Sequence, residues 1–133
     1  MKAAIFMLAL ASAPFFASAA AVKPAPTFTV AFTNSEGEVL ITDQYDRTLY
    51  VFDNDIGQKT SQCTAACSET WPAYMLTPAE VAMLKAPLGA IVRGGGHQLT
   101  YNGRPLYLYA YDRMVGDDTG DGIGGVWHYI QLK

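Results

Sequence analysis

From residue 28 onward the apolar positions fall in short runs of β-branched and aromatic residues, with no long helical stripe. Phe28 to Phe32, Val39 to Thr42, Thr48 to Phe52, Ala90 to Arg93, Gln98 to Tyr101, Leu106 to Tyr111 and Val126 to Leu132 each read as a strand. Turn-forming residues separate them: Asn34-Ser35-Glu36-Gly37, Asp53-Asn54-Asp55, Gly94-Gly95-Gly96, Asn102-Gly103 and the stretch from Gly116 to Gly125. Antiparallel hairpins follow, and Asn102-Gly103 is the strongest hairpin signal because both residues accept the positive φ of a tight turn. In Leu106 to Tyr111 the leucines alternate with Tyr107, Tyr109 and Tyr111, which predicts a central strand covered on both faces. Thr77-Pro78-Ala79-Glu80, followed by Val81, Met83 and Leu84, predicts one short helix capped by Thr77 with proline in its first turn.

The pattern repeats. At an offset of 57 residues Arg47, Leu49, Tyr50, Phe52 and Asp55 fall on Arg104, Leu106, Tyr107, Tyr109 and Asp112, and Trp71 comes within one residue of Trp127. Two copies of a unit that cannot bury its apolar face alone would pack into one domain. The expected fold is therefore all-β or β-rich α+β: a small antiparallel β domain of two similar repeats, about residues 39–74 and 96–130, with one short helix. A single domain over residues 28–133 follows an N-terminal arm at 20–27.

The chain's 133 residues leave room for one domain, and half of them are apolar, which excludes a disordered or low-complexity chain. Nine basic against twelve acidic residues give a charge of −3, without the clustered lysines and arginines that nucleic acid or a membrane surface requires. Ahead of the domain, Met1-Lys2, an apolar run from Ala3 to Phe16 and the small residues Ala17-Ser18-Ala19 form a secretory signal over residues 1–19, with cleavage expected between 19 and 21. That run, broken by Pro14, is too short for a membrane span. The expected mature protein is a periplasmic or secreted monomer. Its two cysteines, Cys63 and Cys67, then meet an oxidising compartment, and a disulfide is the leading reading. Side chains four apart on a regular helix lie about 5 to 6 Å apart, beyond disulfide reach, so the intervening segment should be a distorted turn.

Tyr50-Val51-Phe52-Asp53-Asn54-Asp55, then Ser61-Gln62-Cys63-Thr64-Ala65-Ala66-Cys67 and Trp71-Pro72, resembles the bacterial secreted repeat of unknown function. Tyr107 to Asp112 with Gly116-Asp117 and Gly124-Gly125-Val126-Trp127 is similar to that family's second repeat. Ala65 and Ala73 depart from the family's frequent glycine and second proline, and no cysteine near the cleavage region offers the lipid attachment common among its members. The resemblance implies an envelope or secreted protein and brings no activity with it.

Candidate chemistry is sparse. The aromatic set Tyr50, Phe52, Tyr107, Tyr109, Tyr111, Trp71 and Trp127 reads as core, or alternatively as a stacking platform for sugars or another planar ligand. Arg47 and Arg104 are either solvated or a symmetric anion-binding pair. Asp55 and Asp112 either close Asx turns or meet at a pseudo-twofold axis to share a cation or a proton. Cys63 and Cys67 with His97 or His128, and with Met75, Met83 and Met114 near, offer soft ligands for copper. Asp117, Thr119 and Asp121 alternate as the donors of a calcium loop do, with Gly122 at its sharp turn, but no Glu stands at the twelfth position. A polar connector explains the same residues without an ion. No serine elbow, His-Glu-x-x-His or phosphate loop is present. The expected function is a non-enzymatic binding or interaction domain with an unknown envelope or extracellular partner and no cofactor; the alternative is an envelope protein that binds calcium or copper.

Overall fold

The computed structural model describes residues 28–132; the signal segment, the N-terminal arm and its cleavage site lie outside the described residues. The strands are β1 (Phe28–Thr33), β2 (Val39–Asp43), β3 (Tyr50–Phe52), β4 (Met75–Leu76), β5 (Leu88–Arg93), β6 (Gly96–Tyr101), β7 (Arg104–Pro105), β8 (Trp127–Tyr129) and β9 (Gln131–Leu132). Two four-residue helices, α1 (Cys67–Thr70) and α2 (Pro78–Val81), join them. The second matches the expected helix, its Thr77 hydroxyl accepting from the Glu80 amide at 3.2 Å. The first was not expected: it starts at Cys67, where the Cys63–Cys67 turn ends.

Each repeat builds the same unit, and the bonds show it. The antiparallel hairpin β1–β2 has its counterpart in β5–β6. The edge strand β9 pairs with β2 as β4 pairs with β6. Between the halves, Tyr50 and Tyr107 exchange both backbone hydrogen bonds, at 2.8 and 2.9 Å, so that this residue pair sits on the pseudo-twofold axis. Beside it Tyr50 faces Tyr129, and Tyr107 faces Ala73.

Two sequence expectations need correction. Leu106 to Tyr111 is not a continuous strand; only Arg104–Pro105 and an isolated bridge at Tyr107 are ladder-paired. The Leu108 amide does donate to the Pro72 carbonyl at 2.8 Å, but proline has no N–H to return the bond. In the other half the corresponding pair is Val51 with His128, which can make both bonds, and β3–β8 is a regular ladder. The run Val126 to Leu132 also divides, because β8 follows β3 while β9 turns onto β2.

Alternation along the two central segments sorts the core into two layers. Leu49, Val51 and Leu106 join Ile41, Tyr74, Leu76 and Leu99 in an aliphatic layer. Tyr50, Phe52 and Tyr107 point the other way and join Trp71, Trp127 and Cys63 in an aromatic one.

Candidate functional site

The aromatic layer is a stack. Phe52 lies on Trp127 at 4.2 Å, Trp127 on Trp71 at 3.8 Å, and Trp71 on Tyr109 at 4.4 Å between ring centroids. The order is symmetric, since Phe52 and Tyr109 are repeat equivalents, as are the two tryptophans. Tyr50 meets Trp71 edge-on at 5.4 Å, and Tyr107 meets Trp127 edge-on at 5.1 Å. Both tryptophans are 4% exposed, so the stack is core and offers no open face between them. At its Tyr109 end it continues by an edge contact of 5.4 Å to Tyr111, which is 60% exposed.

The motif carboxylates do not pair with each other. Each is taken by the other repeat's tyrosine: Tyr107 donates to Asp55 Oδ2 and Tyr50 to Asp112 Oδ2, both at 2.6 Å. The remaining oxygen of each accepts a backbone amide seven residues further on, Gln62 for Asp55 at 2.6 Å and Thr119 for Asp112 at 3.2 Å. These motif aspartates thus hold the loops that follow them and latch the halves together. Burial, and then the hydrogen bond to Asp55, pushes the Tyr107 phenol up to about 12. Burial and the bond to Asp112 push Tyr50 further in the same direction.

Around these matched bonds the halves differ. Tyr107 also accepts from Ser61, Ser61 accepts from Arg93 Nη1, and Arg93 Nη2 donates to the Cys63 carbonyl at 2.8 Å. The loop carrying Ser61 is pinned by the Cys63–Cys67 disulfide, whose Cα atoms are 5.2 Å apart around Ala65 at φ 53°. At the other half the hydroxyl of Tyr50 accepts from the Gly120 amide at 3.2 Å. Gly120 stands where Cys63 stands in the first repeat, and a Cβ there would come within 2.8 Å of Trp71 and 2.9 Å of Tyr50.

The calcium-loop residues are each engaged by a different partner. Asp117 Oδ2 accepts the amides of Arg113 and Met114 at 2.8 and 2.9 Å, which holds its carboxyl below the usual range. The Thr119 hydroxyl donates to Asp112, and Asp121 accepts the Tyr129 amide at 3.2 Å. Among the described residues no three His, Cys, Asp or Glu side chains come together. Both cysteine sulfurs are consumed in the disulfide, and His128 Nε2 meets Asp53 Oδ2 at 2.9 Å, a partner that lies 75 residues away in the chain. Arg104 shares that carboxylate at 3.2 Å, while Arg47 is bound to the buried Asp43 through Nε at 2.7 Å and Nη2 at 2.6 Å. The two arginines therefore answer to separate carboxylates.

A cleft of about 350 Å³ opens beside the Tyr50–Asp112 bond. One wall is the turn from Asp43 to Thr48, wound around the Asp43 carboxylate, which accepts the Tyr45 and Arg47 amides at 2.9 and 3.0 Å. The other is the loop through Met114, organised by Asp117 and tied to the turn by Gly116 N–H to the Asp46 carbonyl at 3.2 Å and Thr48 Oγ1 to the Asp117 carbonyl at 2.6 Å. Tyr109 and Asp112 lie in it; Tyr45, Met114 and Val115 line it while 62, 76 and 65% exposed. Arg113 also lines it, with no ion pair among the described residues. Sequence reading passed over Tyr45, Arg113 and Val115. The one available signal was apolar residues placed inside polar turns.

No helix among the described residues is long and apolar enough to cross a membrane. No curated protein and no solved structure matches the chain. A family model does match, twice, over residues 30–75 and 89–131, and these are the two halves that the bonding defines. With both repeats covered, the chain belongs to the family of secreted repeats of unknown function.

Proposed function

We propose that this exported protein, periplasmic or secreted, is a non-enzymatic binding domain whose ligand sits in the cleft between the turn at Asp43 to Thr48 and the loop through Met114. The observation that carries the reading is the placement of exposed Tyr45, Met114 and Val115 on the rim of a concave site floored by Tyr109. Apolar and aromatic side chains set in a cleft with a few polar groups are the ordinary composition of a small-molecule site. Arg113 supplies a positive charge held in no ion pair among the described residues, whereas Arg47 is bound to Asp43, and Asp112, the carboxylate of the cleft, is taken by Tyr50 and Thr119. The fitting ligand class is a planar or apolar body bearing one anionic group. The walls are preorganised, since Asp43 and Asp117 each hold a turn through two amide bonds, so little ordering cost falls on binding.

Fluorescence titration with anilinonaphthalene sulfonate, a planar aromatic anion, tests this. A saturable single-site rise in wild type, weakened about tenfold or more in Arg113→Glu and Met114→Asp, is expected for a charge and an apolar wall each contributing at least about 1.4 kcal/mol. A non-saturable rise, or equal binding by both variants, overturns the reading.

A further inference from the structure

The buried aromatic stack is a continuous path from the surface to a tyrosine that already holds a proton acceptor. Starting at exposed Tyr111, successive ring centroids are 5.4 Å to Tyr109, 4.4 Å to Trp71, and 5.4 Å from Trp71 to the fully buried Tyr50. The Tyr50 hydroxyl donates to Asp112 Oδ2 at 2.6 Å, the short distance of a hydrogen bond to an ionised acceptor. Oxidising a phenol at neutral pH requires that its proton leave with the electron, and a positioned carboxylate is the group that removes this requirement as a barrier.

We propose that Tyr50 is a redox-active tyrosine, one-electron oxidised through Trp71 with Asp112 as its proton acceptor. A diffusing one-electron oxidant, of the class of peroxide-derived radicals, takes one electron from the stack at its Tyr109 end and is reduced. The hole resides on Trp71, Tyr50 returns an electron to Trp71, and the phenolic proton passes to Asp112 Oδ2. The products are a neutral Tyr50 radical, neutral Trp71 and a protonated Asp112. The radical oxygen keeps its hydrogen bond from the Gly120 amide. Asp112 lines the cleft, so its proton can pass on to water.

Tyr107 is the built-in control. It has the same edge contact to a tryptophan and the same 2.6 Å bond to a carboxylate. Its acceptor Asp55 is 4% exposed, however, and the Tyr107 hydroxyl is capped by Ser61, itself bonded to Arg93, so a proton released there does not meet the cleft. This inference needs no bound molecule: it uses the stack behind Tyr109, and the cleft only as the outlet for the Asp112 proton.

Flash photolysis with ruthenium tris-bipyridine and persulfate generates a one-electron oxidant beside the intact protein; transient absorption and electron paramagnetic resonance then identify the radical. Wild type and Tyr107→Phe should end on a long-lived tyrosyl radical, and Tyr50→Phe should lose it. Asp112→Asn keeps an accepting oxygen but no proton affinity, and should slow radical formation about a hundredfold, the low end of what a positioned acceptor contributes. Equal radical yield in Tyr50→Phe and wild type, or an unchanged rate in Asp112→Asn, overturns the proposal. Should Tyr50→Phe fail to fold, wild type in deuterated buffer decides: a slowed rate supports the coupled proton transfer, and an unchanged rate overturns it.

Discussion

Around Tyr107 the hydroxyl is enclosed: Asp55 accepts from it, Ser61 donates to it, Arg93 covers Ser61, and a disulfide pins the loop. Around Tyr50 the same donor and acceptor pattern is bounded by the Gly120 backbone and by a cleft. The duplicated bonds are those that position the axis, and the halves diverge only in what surrounds them. Cys63 and Gly120 mark the change. A side chain at the first position joins the core, while the second admits none because Trp71 and Tyr50 already fill the space. One repeat thus closes its loop by a covalent bond and a part-buried arginine contact; the other leaves an open cleft beside a latch of the same two residue types.

The largest effect expected from breaking this pattern comes from the part that is most symmetric. Truncating Trp71 or Trp127 to alanine removes a ring that is 4% exposed and stacked on both faces, and each should cost about 4 kcal/mol. Because the two occupy equivalent places, their urea midpoints should agree closely. A loss confined to one of them would show that the stack is not shared.

The latches should be unequal. Asp55→Ala leaves the Tyr107 hydroxyl and the Gln62 amide without their acceptor at a site that is 4% exposed, and should cost about 3 kcal/mol. Asp112→Ala removes the matching bonds beside the cleft, where water replaces the lost oxygen, and should cost about 1 kcal/mol. Equal destabilisation in denaturant titrations would mean that the second latch is sealed too, and would leave the proton of Asp112 no route to the cleft.

Much of this was legible in the chain. Alternation along Leu106 to Tyr111 separated leucines from tyrosines, because a strand side chain has only two directions to choose from, and in the fold Leu106 and Tyr107 do enter opposite core layers. Asn102-Gly103 carries the predicted tight turn, with φ of 48° and 79°. Three features were hidden, each for its own reason. The interrupted pairing at Leu108 depends on a proline 36 residues earlier that becomes its neighbour only in the fold. The exchange of tyrosines between aspartates is a contact across the axis, invisible to an alignment that superposes the repeats without placing them. And the cleft is lined by turns whose exposed Tyr45 and Met114 resemble any other loop residues until the two walls are brought together.

Removing the disulfide tests how much of the closed half's rigidity is covalent. A loop of this size stabilises by about 2 kcal/mol through the entropy of the unfolded chain. Cys63→Ala with Cys67→Ala should therefore lower stability by about 2 kcal/mol while leaving Arg93, Ser61 and Tyr107 connected, since those bonds use side chains and the Cys63 carbonyl. A thermal transition that loses cooperativity, rather than one shifted down, would show that the turn has no hold of its own.

The smallest effect belongs to an ion pair that only one half can make. His128 on β8 bonds Asp53, the residue that follows β3, whereas the equivalent positions in the other half hold Pro72 and Ala110, which carry no charge. The hydrogen bond from His128, supported by Arg104, holds the Asp53 carboxyl below the usual aspartate range. A carboxyl lowered on folding contributes stability above its unfolded pKa, about 4, and that contribution disappears as pH falls through the folded value. Wild type should therefore melt above Asp53→Asn at pH 6, and the two curves should converge as the solution is acidified below pH 4. Both groups are more than a third exposed, so the difference should also shrink as salt is raised. A gap between the two proteins that stays constant from pH 6 to pH 3 would assign the stabilisation to packing between β3 and β8, and the contacts of Asp53 with His128 and Arg104 would then contribute nothing to the difference between the halves.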